Sequence, residues 1–206
     1  MTRTQRIRLT CPSCGAEVDH TAVMSTTTYG QDTDFRPLSA GIPPRAVTMS
    51  SCHRCGFTGS EDDFPGSLSP TVAAQIAGME RPDDAAGRWA AAALIAHWRG
   101  RPDEDVGFRY LNAAWCVLDD GGDLPRERGY RRKAIEHFER HLRSDVVAGR
   151  AELTYLVGEL YRRVGETSPA HEWFDRAVAL AGGDPSLGWL AQLARQQKTA
   201  PQDRRQ

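Results

Sequence analysis

Two short cysteine motifs constrain this chain more than any other feature: Cys11-Pro12-Ser13-Cys14-Gly15 and Cys52-His53-Arg54-Cys55-Gly56. Four thiolates in two C-x-x-C pairs form the donor set of a tetrahedral Zn2+ site. The glycine after each second cysteine lets the chain turn so that backbone N–H groups face the sulfurs. Cys11, Cys14, Cys52 and Cys55 are therefore expected to hold one structural zinc per chain, in a closed site with no vacant coordination position. A redox dithiol is the competing reading. Such motifs sit at a helix start within a βαβ unit, and none is legible here. The fifth cysteine, Cys116, lies in the apolar run Leu111 to Leu118 and reads as a small core residue.

The motifs sit in a half with β-type grammar. Residues 1–64 are rich in Thr, Ser, Pro and Gly. Arg6 to Thr10 reads as a strand entering the first motif, Ala16 to Met24 as one leaving it, and Ala46 to Met49 as one entering the second. This is the pattern of a zinc ribbon, too small to build a sufficient core alone. Structural zinc, worth about 10–16 kcal/mol, would supply what packing does not. A polar insert, Ser25 to Pro44, separates the motifs and carries Asp32-Thr33-Asp34-Phe35-Arg36. Asp32, Asp34 and Arg36 read either as a recognition surface or as ordinary turn chemistry, with the latter favoured.

A connector over 65–83, with a short helix at Thr71 to Ala77, leads into a helical half over 84–197. Helices are expected from Ala85 to Arg99, Val106 to Leu118, Pro125 to Leu142, Val147 to Val164, Pro169 to Ala181 and Pro185 to Gln196, punctuated by Gly and Pro. The tail, 198–206, reads as frayed and disordered. The fold class expected is α+β, mostly α: a small N-terminal β ribbon followed by helical hairpins.

An internal repeat supports the hairpins. Ala134-Ile-Glu-His-Phe-Glu-Arg140 and Ala170-His-Glu-Trp-Phe-Asp-Arg176 share alanine, glutamate, phenylalanine, an acid and arginine in register, at a period typical of helical-hairpin repeats. Gly158, Tyr161, Ala170, Phe174 and Ala177 resemble a tetratricopeptide repeat. The chain departs from it at Thr154, Val157 and the displaced Pro185. Such stacks present a groove, for which Trp115, Tyr155, Trp173 and Trp189 are candidates, or else form a compact bundle covering the ribbon.

The order of these features resembles the bacterial domain-of-unknown-function 2225 family. The resemblance rests on Cys11-Pro-Ser-Cys14, Asp32-Thr-Asp34, the Pro43-Pro44 pair, Cys52-His-Arg-Cys55-Gly-Phe57, Phe64 and Ala114-Trp115. It covers nearly the full chain and implies this architecture, with no established activity.

The functional expectations are correspondingly spare. A formal net charge of -1 gives no global attraction to polyanions. Arg126, Arg128, Arg131, Arg132 and Lys133 form the densest basic run, but Glu127, Glu136 and Glu139 interleave with it. No phosphate-cradling loop, nucleophile elbow or H-E-x-x-H motif is present, so an enzyme is not expected. His20 and His53 lie beside the motifs, where four better ligands are already in place. His97, His137, His141 and His171 read as boundary residues of helices. The longest apolar stretch, Trp89 to Trp98, is too short to span a bilayer. The expectation is a cytoplasmic, non-catalytic zinc-binding module with a protein or peptide partner. A nucleic-acid-binding regulator that uses the ribbon and the basic run is the alternative.

Overall fold

The computed structural model describes residues 1–144 and 147–204. Three antiparallel strand pairs come first. β1 (Arg3–Thr10) and β2 (Glu17–Ser25) close over the first cysteine motif. β3 (Thr28–Gln31) and β4 (Pro37–Ser39) form a small hairpin inside the insert. β5 (Ser50–Ser51) and β6 (Thr58–Gly59) close over the second motif. The helices follow: α1 (Pro70–Ala77), α2 (Ala85–Trp98), α3 (Asp103–Asp119), α4 (Leu124–Leu142), α5 (Arg150–Arg163), α6 (Thr167–Ala181) and α7 (Gly188–Thr199). The chain is thus mostly α with small β pairs at its start.

Helix starts follow local chemistry. Ser69, Asp84 and Asp123 each accept a backbone N–H of the first turn, from Val72, Gly87 and Arg126, and prolines occupy the first turns of α1 and α4. α5 begins at Arg150, not at Val147, because Gly149 adopts a left-handed conformation (φ 62°) directly before it. One 3-10 turn over Pro185–Leu187 precedes α7, so the last helix starts later than expected.

α3 packs on α4 and α5 on α6 as two helical hairpins built alike. Ala134 and Ala170 are fully buried at equivalent places, as are Phe138 and Phe174. Each phenylalanine ring lies over a glycine of the preceding helix: a Cβ at Gly107 would come within 2.5 Å of Phe138, and one at Gly158 within 2.9 Å of Phe174. The recurring residues are those that let paired helices approach.

The insert between the cysteine motifs runs into this helical stack. Asp34 is completely buried. Its carboxylate accepts from Arg131 of α4 at 2.8 Å and from the Trp115 indole of α3 at 2.9 Å, and it faces Arg163 of α5 at 3.7 Å. Arg131, also fully buried, pairs on its other side with Glu127. The Thr33 hydroxyl donates to Glu159 at 2.7 Å, while the Tyr155 hydroxyl donates to the Thr33 carbonyl at 3.0 Å. Phe35 holds a left-handed conformation (φ 64°) and sets its ring 5.4 Å from Tyr155 and 6.4 Å from Trp189. α3, α4, α5 and α7 all contact the same five-residue segment.

Several expectations give way here. Asp32 to Arg36 do make turn bonds, from Phe35 N–H to the Asp32 carbonyl and from Arg36 to the Asp32 carboxylate. The main partners of Asp34, however, are distant in sequence. Trp115 and Tyr155 are buried beneath the segment and do not line an open groove. Trp173 is partly buried against α4 and α5, and its ring carries the Arg176 guanidinium. Ala46 to Met49 is not a strand: Pro43 and Pro44 set up a 3-10 turn over Pro44–Ala46. That turn is held by the Trp89 indole donating to the Arg45 carbonyl and by the Arg45 pairing with Asp119. The tail is not frayed through Arg204. The Thr33 N–H donates to the Asp203 carbonyl, Arg162 pairs with Asp203, and Gln197 bonds both the Gln202 N–H and carbonyl. Arg205 and Gln206 lie outside the described residues.

Burial alone would push the Asp34 carboxyl up, but Arg131, Arg163 and the Trp115 N–H outweigh it and hold it well below the usual carboxylate range. Removing one partner of such a pair strands the other charge in the core. Arg131→Met and Asp34→Ala are each expected to cost about 3–5 kcal/mol in urea unfolding. Because the folded carboxyl is depressed, its stabilisation is complete above the unfolded value, about 3.9, and lost as pH falls below it. Asp34→Asn should therefore flatten the acid limb of the stability profile measured between pH 6 and 2.

Candidate metal centre

Each cysteine motif folds into the same tight loop. Cys11 N–H donates to the Ala16 carbonyl at 2.8 Å and Gly15 N–H to the Cys11 carbonyl at 2.9 Å. In the second loop, Cys52 N–H donates to Phe57 at 2.7 Å and Gly56 N–H to Cys52 at 2.9 Å. Gly15 and Gly56 take φ of 71° and 85°, a region costly for any side chain. The loops approach with approximate two-fold symmetry: the first cysteine of each faces the second of the other. Sulfur separations are 3.5 Å for Cys11 and Cys55 and 3.7 Å for Cys14 and Cys52, with all four sulfurs within 4.8 Å. Four sulfurs about 2.3 Å from a central metal would lie about 3.8 Å apart, so the donor set fits a tetrahedral ion.

The electrostatics also favour a cation. Burial holds the Cys11 thiol above its ordinary range. Cys55 is desolvated as well, yet the Phe57 N–H, the Ser13 hydroxyl and its sulfur neighbours hold it below that range. Four thiolates this close repel one another, and a divalent ion lets all of them ionise together. The four sulfurs would complete the tetrahedron of such an ion.

The site is docked, not free-standing. Cys11 and Cys52 are buried in one cluster with Val18, Phe57, Phe64, Val72, Ile76 and Ile95, so the ribbon, α1 and α2 share a core. The connector is thus part of the packing. Arg81, a residue the motif reading passed over, donates to the carbonyls of His53 and Arg54 at 2.7 and 3.2 Å and clamps the second loop. A lone connector arginine carries no sequence signal for that role. Asp63, also unremarked, caps the turn after β6 through Ser60 and pairs in a buried fork with Arg109 of α3. His20 is buried and bonds Ser50 at 2.9 Å, joining β2 to β5. Cys116 is a core residue on α3, its thiol pushed up to about 12 by burial.

The basic run does not form a continuous face. Arg131 is interior, Arg126 pairs with Asp84 at 2.5 Å, and Arg132 pairs with Glu166. Lys133 lies over the Tyr110 ring. Among the described residues no helix is long and apolar enough to cross a membrane.

Because the core of α3 to α6 contains none of the four metal-site cysteines, chelation should act locally. Hydrogen exchange after metal removal is expected to show loss of protection in β1, β2, β5 and β6, with α4 and α5 retained. Simultaneous melting of all helices would contradict this division.

No curated protein and no solved structure matches the chain. Over residues 5–200 it matches the family described as "Uncharacterized protein conserved in bacteria (DUF2225)". With nearly its whole length inside that match, and with the paired cysteine loops, the insert and the helices in one order, the chain belongs to the DUF2225 family.

Proposed function

We propose that this protein is a non-catalytic, zinc-braced protein-interaction module. The carrying observation is the closed four-sulfur set, Cys11, Cys14, Cys52 and Cys55, whose separations suit Zn2+ with no position left over. Soft thiolates in tetrahedral array select zinc over harder cations. The ion acts by fixing two distant loops against α1 and α2.

The helical half supports the interaction reading. Its two hairpins, with their matched glycine and phenylalanine contacts, are tetratricopeptide-like units, and such stacks work by holding extended segments. Here the segment from Thr33 to Phe35 already lies across α3, α5 and α7. The alternative, a nucleic-acid-binding regulator, has Arg131 buried and Arg126 and Arg132 paired with carboxylates, which leaves it Arg128, Lys133 and the arginines of the ribbon.

Two measurements test the reading. Metal analysis of the purified protein is expected to give one zinc per chain, bound until chelator is added. Affinity capture from a cell lysate, with and without nuclease, should return protein partners that survive nuclease. Partners that vanish on nuclease treatment would favour the alternative.

A further inference from the structure

The chain's own insert already lies as an extended segment against α3, α5 and α7, and other surfaces could take an extended partner. β1 is the strongest. It pairs with β2 on one side only, in a two-stranded sheet, leaving an eight-residue edge without a neighbouring strand among the described residues. A strand edge of that length is a row of unsatisfied N–H and C=O groups and a template for a further strand. Which groups face outward follows from the ladder. Cys11 N–H bonds to Ala16 across the hairpin, so the alternation of an antiparallel pair directs Leu9, Ile7 and Gln5 toward β2. The backbone groups of Thr10, Arg8, Arg6 and Thr4 point away.

The chemistry of the edge is one-sided. β1 reads Arg-Thr-Gln-Arg-Ile-Arg-Leu-Thr, with three arginines and no acid. Arg8 is met by Glu17 and Asp19 of β2. Among the described residues Arg3 and Arg6 have no carboxylate partner. A second copy of this chain would bring the same arginines together and be repelled. An anionic strand would be attracted. Beside the start of β1, Met24, Tyr29 and Ile42 stand exposed, and the Thr2 hydroxyl donates to the Ile42 carbonyl. Of these, Ile42 is tied to the residue just before β1 and offers apolar contact to one end of such a strand.

We propose that the outer edge of β1 is the docking strand for an extended acidic segment of a partner protein, with a large apolar residue of that segment resting against Ile42. The proposal rests on the protein-interaction reading and names its surface. Main-chain bonds from Thr4, Arg6, Arg8 and Thr10 would supply affinity, and Arg3 and Arg6 would select for charge.

The test uses the full-length, metal-loaded protein and a synthetic peptide of alternating glutamate and valine ending in leucine. Peptide binding is expected to slow amide exchange at Thr4, Arg6, Arg8 and Thr10 at least about tenfold, as new hydrogen bonds form. Gln5, Ile7 and Leu9, already bonded to β2, should be unchanged. A lysine-for-glutamate peptide should not bind, and the double variant Arg3→Glu/Arg6→Glu should weaken binding about tenfold. Thr4→Pro, which removes only an outward N–H, should also weaken it while the helices and metal content stay intact. If the peptide binds with the β1 amides unaltered, or does not bind the folded protein, this surface is wrong and the interaction reading stands. If single-stranded oligonucleotide protects those amides and excludes the peptide, both fall.

Discussion

A carboxylate and a guanidinium, both sealed from water, join the two halves of this molecule. Asp34 belongs to the insert between the cysteine loops, and Arg131 to the middle of α4. Their contact makes the path of the insert depend on the helices, and the packing of α3, α4 and α5 depend on the insert. Around the pair lie Trp115, Glu127 and Arg163, each with polar atoms that need partners in the interior. Arg131 leaves its Nη2 without one. A dry apolar cluster of similar volume would be no less stable. What charge supplies is register: in the observed position the Asp34 carboxylate faces both Arg131 and Arg163, and a one-residue slip of the insert would take it away from them.

The metal site and this buried network divide the labour. The cysteines pin the ribbon to α1 and α2 through one core, while Asp34 and Thr33 pin the insert to α3, α4 and α5. Arg45 and Asp63 bridge between these anchorages, each reaching α3 through a carboxylate and guanidinium contact. The ribbon thus does not hang from the helices by a linker; it is laced to them at several separated points.

What could be read from the residues was local, and what could not was distant. The cysteine loops declare themselves because both ligands and the turning glycine lie within five positions. The helices declare themselves through Pro125 and the other Gly and Pro residues that punctuate them. The repeat was visible because Ala134, Phe138, Ala170 and Phe174 serve one local geometry twice. Asp34 gave no such signal, since its partner Arg131 is 97 positions away and looked like one cation of a solvated run. The binding of Gln202 and Asp203 was illegible for another reason: it runs largely through backbone carbonyls, which every residue has.

Vectorial synthesis gives the long-range bonds of Thr33 a temporal meaning. Its hydroxyl bonds the Gln202 carbonyl, 169 positions onward, and ribosomes add about 5–20 residues per second. Roughly ten to thirty seconds therefore separate the emergence of these two residues. The insert's partners arrive in order over that interval: Trp115 and Arg131 for Asp34, then Glu159 for Thr33, and the Gln202 carbonyl last. The bond to the Gln202 carbonyl is therefore a closing stitch, made on a segment that α3, α4 and α5 can already hold.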